Sequence, residues 1–389
     1  MTRIYPNRKP CVILRPTRPA MAIALALSVL NASAAGTKFN DLQVSARKGL
    51  VAQEKELATA YLTGNGVSPD VRMAAYWYQR AAESGDPAAQ NELGLLYQGG
   101  VGVPADPKRA IHWFQLSAAS GFIEAKVNLG VAYFGGIGVP KDEGMAAQLF
   151  REAIHRGSGF AATYLGDMYF FGHGMSVDRS VAEKWFRTGV KLHDPFAEFN
   201  LGLLFTGKEG HPSDIPKAAK LLRRSAGAGY VPAMYSLGAL LLNRIDLAKS
   251  PEESLRLLEI AANAGSWRSS VLLGVLARDG RGVPRDPEAA YYHFQVAILQ
   301  GGEPARRLLT NELDVFGSML TVEQRSRSVA NANSWFHDHG FPQAFVHKDG
   351  KTWKGFSFSP SAAQDDSVPA GEFVAFPLPR GGGEKQEAN

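Results

Sequence analysis

Cysteine is nearly missing from this chain: one residue, Cys11, in 389. A disulfide framework is therefore excluded, as is a thiolate metal site. Long hydrophobic runs are missing too. The apolar run Met21 to Leu30 is only half the length of about 20 residues that a membrane-spanning helix needs. There is no HExxH motif, and no Ser/His/Asp set can be assembled from spacing. A net charge of one sign is also lacking once the N-terminus is set aside. The chain has 42 Lys and Arg against 37 Asp and Glu, but Arg3, Arg8, Lys9, Arg15 and Arg18 sit in residues 1–34, which hold no acid. The remainder is balanced at 37 against 37, so the basic pI is no argument for a nucleic-acid partner.

What the chain does have is a period. Gly94 recurs 36 residues on at Gly130, Gly166, Gly202, Gly238 and Gly274, and Leu93 steps in the same way to Leu273. A fixed period of this size marks a stack of supersecondary units. Ala89, Leu93, Leu96 and Tyr97 share one face of a first helix. A glycine inside a helix costs about 0.5–1 kcal/mol relative to alanine. Six in register imply close approach, expected here from the backbone of a second helix. GGVGVP then breaks the chain. The second helix starts at the column Asp70, Asp106, Asp142, Asp178, Asp214, Ser250 and Asp286, every member of which can accept an orphan N–H. It carries alanine at Ala74, Ala110, Ala146, Ala182, Ala218 and Ala290, and Trp77, Trp113 and Trp185 are expected in the core. Its end falls near Gly85, Gly121, Gly157, Gly229, Gly265 and Gly301, suited to the left-handed C′ position, with His193 as the exception.

The stretch AAQNELGLLYQGGVGVPADPKRAIHWFQLSAASG resembles the Sel1-like repeat, a 36-residue relative of the tetratricopeptide repeat. The resemblance covers about 250 residues and seven units, and implies an all-α, right-handed α/α solenoid with a helical C-terminal cap. Three units drift: Ala58 replaces the first glycine, GKEGHPSDIP alters the fifth loop, and NRIDLAKSP replaces the sixth.

Residues 1–34 read as a signal peptide, 35–51 as a lead-in, 52–302 as the solenoid, 303–339 as capping helices and 340–389 as a disordered tail. Thr321 to Gln324 reads as a capping box. The tail nevertheless carries Trp353, Phe356, Phe358, Phe373 and Phe376, suited to folding back or to holding a partner.

Chemistry is thin. The GGVGVP loops lack the Lys-Ser/Thr of a phosphate-binding loop. His337, Asp338, His339, His347 and Asp349 form a weak metal-ligand cluster, better read as a solvated helix end. No catalytic residue, cofactor or metal is expected. Resemblance to Sel1-like proteins implies an exported scaffold binding a protein or peptide. A structural factor of cell wall or exopolysaccharide is an alternative. The third is β-lactam binding or hydrolysis, which belongs to a branch with a cysteine pair in each repeat, unlike this chain. Within the first helices, the stripe of Asn91 and Gln98, with equivalents including Val127, Phe134, Phe170, Phe199, Tyr235 and Leu242, is expected to pack on the next repeat. The stripe of Glu92 and Leu95 varies in type through Asn128, Tyr164, Asp167, Asn200 and Leu203. A packing position is not expected to accept such variety, so these five residues are the candidates for a concave partner-binding groove.

The leader's basic flank, short apolar run and Ala32-Ser33-Ala34 predict cleavage between Ala34 and Ala35 and a periplasmic or secreted protein with no membrane span in its mature chain. N-terminal sequencing of the exported protein is expected to begin at Ala35; an intact Met1 in the membrane fraction contradicts this.

Overall fold

A computed structural model describes residues 39–207, 212–250 and 252–339. The expected signal peptide and tail, together with His347 and Asp349, lie outside them. The chain divides into two compact units, Met1–Phe122 and Ile123–Asn389. The first holds α1 (39–47), α2 (Val51–Thr63), α3 (Val71–Glu83), α4 (Pro87–Gly99) and α5 (Pro107–Ala119). The second runs through α6 (Ile123–Gly135), α7 (Glu143–His155), α8 (Gly159–Phe171), α9 (Arg179–Lys191), α10 (Pro195–Leu204), α11 (Ile215–Gly227), α12 (Val231–Asn243), α13 (Glu253–Asn263), α14 (Trp267–Asp279), α15 (Pro287–Met319) and α16 (Val322–His339). The architecture is an all-helical α/α solenoid, each repeat a pair of helices.

The aspartate column starts the second helices by two bonds. Its carboxylates accept first-turn N–H groups, as Asp106 does from Arg109 at 3.1 Å and Asp142 from Met145 at 2.8 Å. Its own N–H donates to the carbonyl nine residues back: Asp70 to Tyr61, Asp106 to Tyr97, Asp142 to Tyr133, Asp178 to Tyr169, Asp214 to Phe205 and Asp286 to Ala277, all at 2.8–2.9 Å. One residue thus caps the second helix and ties the loop to the end of the first. Ser250 departs from its expected role. A 3₁₀ turn at Ile245–Leu247 displaces the loop, α13 starts at Glu253, and no side chain caps it. Arg223 supplies the tie instead, bonding Glu253 at 2.8 Å and the carbonyl of Leu247 at 2.9 Å.

The glycine column is tight for a different reason from the one expected. The neighbour is a ring, not a backbone. A Cβ on Gly94 would lie 2.5 Å from the ring of Phe114, and one on Gly130 2.5 Å from Phe150. Gly166 meets Phe186 at 2.5 Å and Gly274 meets Phe294 at 2.4 Å. Leucine takes the ring's place in two repeats, Leu222 at 3.0 Å from Gly202 and Leu258 at 2.9 Å from Gly238. The partner always lies 20 residues on. Phe114, Phe150 and Phe294 are almost wholly buried, whereas Trp113 and Trp185, one residue earlier, are only half-buried. In these repeats the core aromatic is therefore the residue after the tryptophan, whereas in the first repeat Trp77 itself is buried as expected, at 4% exposure. In the first repeat Ala58 faces the same column at Tyr78, whose hydroxyl pairs with Thr59 at 2.8 Å.

Helix ends follow the sequence closely. His193 adopts the left-handed conformation, φ 59°, of the glycines it replaces. In the seventh repeat the break falls at Gly302, φ 59°, ψ −137°, rather than at Gly301, where a Cβ would meet Trp267 at 2.6 Å. The capping box forms reciprocally: Gln324 N–H donates to Thr321 Oγ1 at 3.2 Å, and Thr321 N–H donates to Gln324 Oε1 at 2.9 Å.

Gly166→Leu is expected to lower stability by about 1–3 kcal/mol, because the Phe186 ring fills the space. Gly227→Ala, at a helical position with nothing within 4 Å, is expected to raise it by about 0.4–1 kcal/mol. Denaturant melts of both variants check the pair, and equal effects of the same sign contradict the ring-contact account.

Candidate functional site

Within the second unit, first helices of successive repeats pack directly on one another, α8 on α10 and α12 on α14. The stripe expected to pack does so: Val127 and Phe199 are buried, as is Thr163 in the same column, and Phe134, Phe170, Tyr235 and Leu242 are half-buried. The five groove candidates, Asn128, Tyr164, Asp167, Asn200 and Leu203, are also half-buried. Their stripe is thus less open than its varied composition suggests. It is already buried at Leu95 and Val131, 7% and 5% exposed, and closes again at the sixth repeat, where Ser236 and Ala239 are buried. Leu203 packs against the cluster of Leu237 and Leu240, and Tyr164 against that of Phe150 and Leu165. Small and polar residues can pack here because partners on adjacent helices compensate for each.

Three candidates are brought together. Asn200 Nδ2 on α10 donates to Asp167 Oδ1 on α8 at 2.8 Å, a bond between neighbouring first helices. Tyr164 lies one turn before Asp167, stacked on Phe150 with ring centroids 5.1 Å apart and planes 14° apart. Asn128 stands one repeat earlier, on α6. From Tyr164 the rings continue through Phe160 at 4.9 Å, Phe196 at 5.0 Å and Tyr230 at 4.6 Å to Phe199 at 5.1 Å. The polar pair therefore sits beside an aromatic wall that runs from the third repeat to the fifth.

A second carboxyl, missed by the sequence reading, completes the set. Asp194 caps α10, accepting from Ala197 N–H at 3.1 Å, and it also accepts from the hydroxyl of Thr163. Thr163 and Asp194 lie 31 residues apart, the separation of the Lys55–Asp86 ion pair in the first unit and of the Phe199–Tyr230 ring contact. The signal was present in the sequence as paired columns, but the residue types change from repeat to repeat. Another such pair of columns, 26 apart, holds ion pairs: Glu54 with Arg80 at 2.8 Å, Lys126 with Glu152 at 2.7 Å and reversed sign, and Glu198 with Arg224.

Among the described residues no cation contributes to the shift of Asp167. Burial, and then the neighbouring Asp194, push its carboxyl from the usual carboxylate range up to about 8. Burial likewise raises Asp194, with Thr163 and the α10 N–H groups opposing. The hydroxyls of Tyr164 and Tyr230 are raised by burial and by these carboxyls. At neutral pH the Asp167 carboxyl is accordingly held largely protonated, as both donor and acceptor. The set offers hydrogen bonds and aromatic area, which are the means of recognition rather than of bond-breaking. Histidines stand elsewhere: His293 is driven down to about 4 by burial, and His339 stacks on Trp335 at 4.6 Å. Among the described residues no three His, Cys, Asp or Glu converge on a metal position. A shallow cleft lined by Tyr292, Asn331, Ser334, Trp335, Asp338 and His339 shares no residue with this set.

The raised carboxyl fixes a pH dependence. The folded state holds its proton to a higher pH than the unfolded state, so this contribution is complete below the unfolded value of about 3.9 and is lost as pH rises through about 8. Relative to Asp167→Asn, the wild type is expected to lose stability between pH 5 and pH 9. Denaturant titrations at both pH values test this, and parallel curves for the two proteins contradict it.

The Sel1 repeat model matches seven consecutive segments, residues 55–86, 87–122, 123–158, 159–194, 195–230, 231–266 and 268–302. No curated protein matches the chain. Among solved structures, a Sel1 repeat protein from Oxalobacter formigenes is 28% identical, covers 59% of this chain and 99% of its own, and has a TM-score of 0.51. A protective antigen of uropathogenic Escherichia coli displaying an SLR fold is 23% identical over 78% of this chain and 72% of its own, with a TM-score of 0.41. With seven matched repeats covering more than half of its length, the chain belongs to the Sel1 repeat family, whose members generally serve as scaffolds for protein–protein interaction.

Proposed function

We propose that the chain is an exported, non-enzymatic scaffold that holds an extended protein segment along the first helices α6, α8 and α10. The observation that carries this reading is the Asp167–Asn200 bond across two first helices, set beside the Tyr164–Tyr230 aromatic wall. A repeat core needs no polar pair there, since Ala239 and Val275 fill the Asp167 column in later repeats. An extended segment exposes backbone N–H and C=O groups that Asn128, Asp167 and Asn200 can meet, while Tyr164 and Leu203 supply apolar area. Packed helices lie about 8–10 Å apart, so three in a row span about six extended residues at about 3.3 Å each.

Export rests on the leader. The described residues begin at 39, a few residues past the expected cleavage site, so cutting there removes nothing from the described fold. Among the described residues no helix is long and apolar enough to cross a membrane. The partner is a protein or peptide, met beyond the inner membrane.

Affinity capture from an envelope extract tests the groove. Asp167→Asn with Asn200→Ala is expected to reduce recovery of the partner about tenfold, the effect of losing about 1.4 kcal/mol. The comparison is made at pH 6, where Asp167 is protonated in the wild type, with melting curves recorded alongside. Undiminished recovery from a variant that melts like the wild type places the site elsewhere.

A further inference from the structure

The last helices leave an apolar stripe uncovered. Beyond the break at Gly302, Leu308, Val315 and Met319 on α15 follow spacings of seven and four and share one face. They are 51%, 48% and 55% exposed, and Val322 at the start of α16 is 63% exposed. Ala305, Leu309 and Phe316, on a neighbouring face, are buried in the last core cluster. The terminal unit of a stack ordinarily turns a polar face outward; this one turns out leucine, valine and methionine.

The chain's own sequence contains a segment suited to that stripe. Fifty residues, 340–389, follow His339, and Trp353, Phe356 and Phe358 fall within the six-residue stretch WKGFSF. Its reach is sufficient. Arg327 pairs with Glu288 and Trp335 Nε1 donates to Asn263, so α16 runs back along the first half of α15 and ends away from Met319. Eighteen helical residues cover about 27 Å, while the fourteen residues 340–353 can span about 46 Å. Tethering also favours this occupant, because linkage within one chain gives an effective concentration on the order of 1 mM, which a free partner seldom reaches.

We propose that the aromatic stretch Trp353 to Phe358 docks on the Leu308–Val315–Met319 stripe and closes the C-terminal end of the stack. Photo-crosslinking of the full chain with Phe356 replaced by benzoylphenylalanine tests it, using a mixture of isotopically light and heavy protein. Crosslinks within one chain to residues 304–322 are expected, and Val315→Glu with Met319→Glu is expected to abolish them. Both substitutions lie on exposed positions. Crosslinks between chains assign the stripe to a second copy and overturn the proposal. It is equally overturned by crosslinks to other segments, by none at all, or by crosslinks that persist in the charged variant. Should that variant fail to fold, hydrogen exchange decides: Trp353→Ser, Phe356→Ser and Phe358→Ser together are expected to speed exchange across 304–322, and unchanged exchange overturns the proposal.

Discussion

The contact between a helical glycine and a side chain twenty residues later, a ring in four repeats and leucine in two, sets the geometry of the helix pair. The ring of Phe114, Phe150, Phe186 or Phe294 lies where a Cβ would be, so the two helices of a pair approach more closely than side chains would otherwise allow. The glycine weakens its own helix by about 0.5–1 kcal/mol, and burying a phenylalanine side chain returns about 1.5–3 kcal/mol. The exchange is favourable only if the ring is held over the glycine, and the aspartate tie holds it there. Asp106, Asp142 and Asp178 fix the second helix to the end of the first by main-chain bonds at 2.8–2.9 Å. Where leucine replaces the ring, at Leu222 and Leu258, the contact loosens to 2.9–3.0 Å. The loops drift in the same two repeats, the fifth and the sixth.

With this frame repeated, the remaining columns are free to vary in type, provided that they vary in pairs. The columns 26 apart accept Glu54 with Arg80 and, with the charges exchanged, Lys126 with Glu152. The columns 31 apart accept an ion pair, a hydroxyl with a carboxylate, or two rings. What these pairs share is compensation, since an unpaired buried polar group costs about 1–3 kcal/mol. At Asp167 compensation is only partial. Among the described residues it has the amide of Asn200 but no cation, and Asp194 acts on it as a like charge. A protonated carboxyl is the consequence.

The candidate site was half visible in the sequence. Tyr164, Asp167 and Asn200 stood out because their columns refuse a fixed type, and the structure joins them. The argument that such variety means an open surface did not hold for the stripe as a whole, because Ser236 and Ala239 are buried. Variety of residue type measures how well neighbours can adapt, not how much water reaches a position. Thr163, Asp194 and Tyr230 were passed over for the same reason: each looks ordinary in its own repeat, and its meaning lies in a partner about 30 residues away.

By itself the sequence determined the helices, their pairing and their number. Those follow from local rules that repeat at 36 residues: apolar spacing, aspartate N-caps, left-handed C′ residues and the capping box at Thr321 and Gln324. Only the tertiary structure decided which aromatic fills the glycine notch. The tryptophans at Trp113 and Trp185 are the more conspicuous residues, yet Phe114 and Phe186 are the ones aimed inward, a rotation of about 100° that composition does not reveal. Only the tertiary structure, too, set the carboxyl of Asp167 against the like charge of Asp194, with no cation among the described residues to offset it. Desolvation and like-charge proximity are properties of the assembled neighbourhood, and no window of sequence contains them.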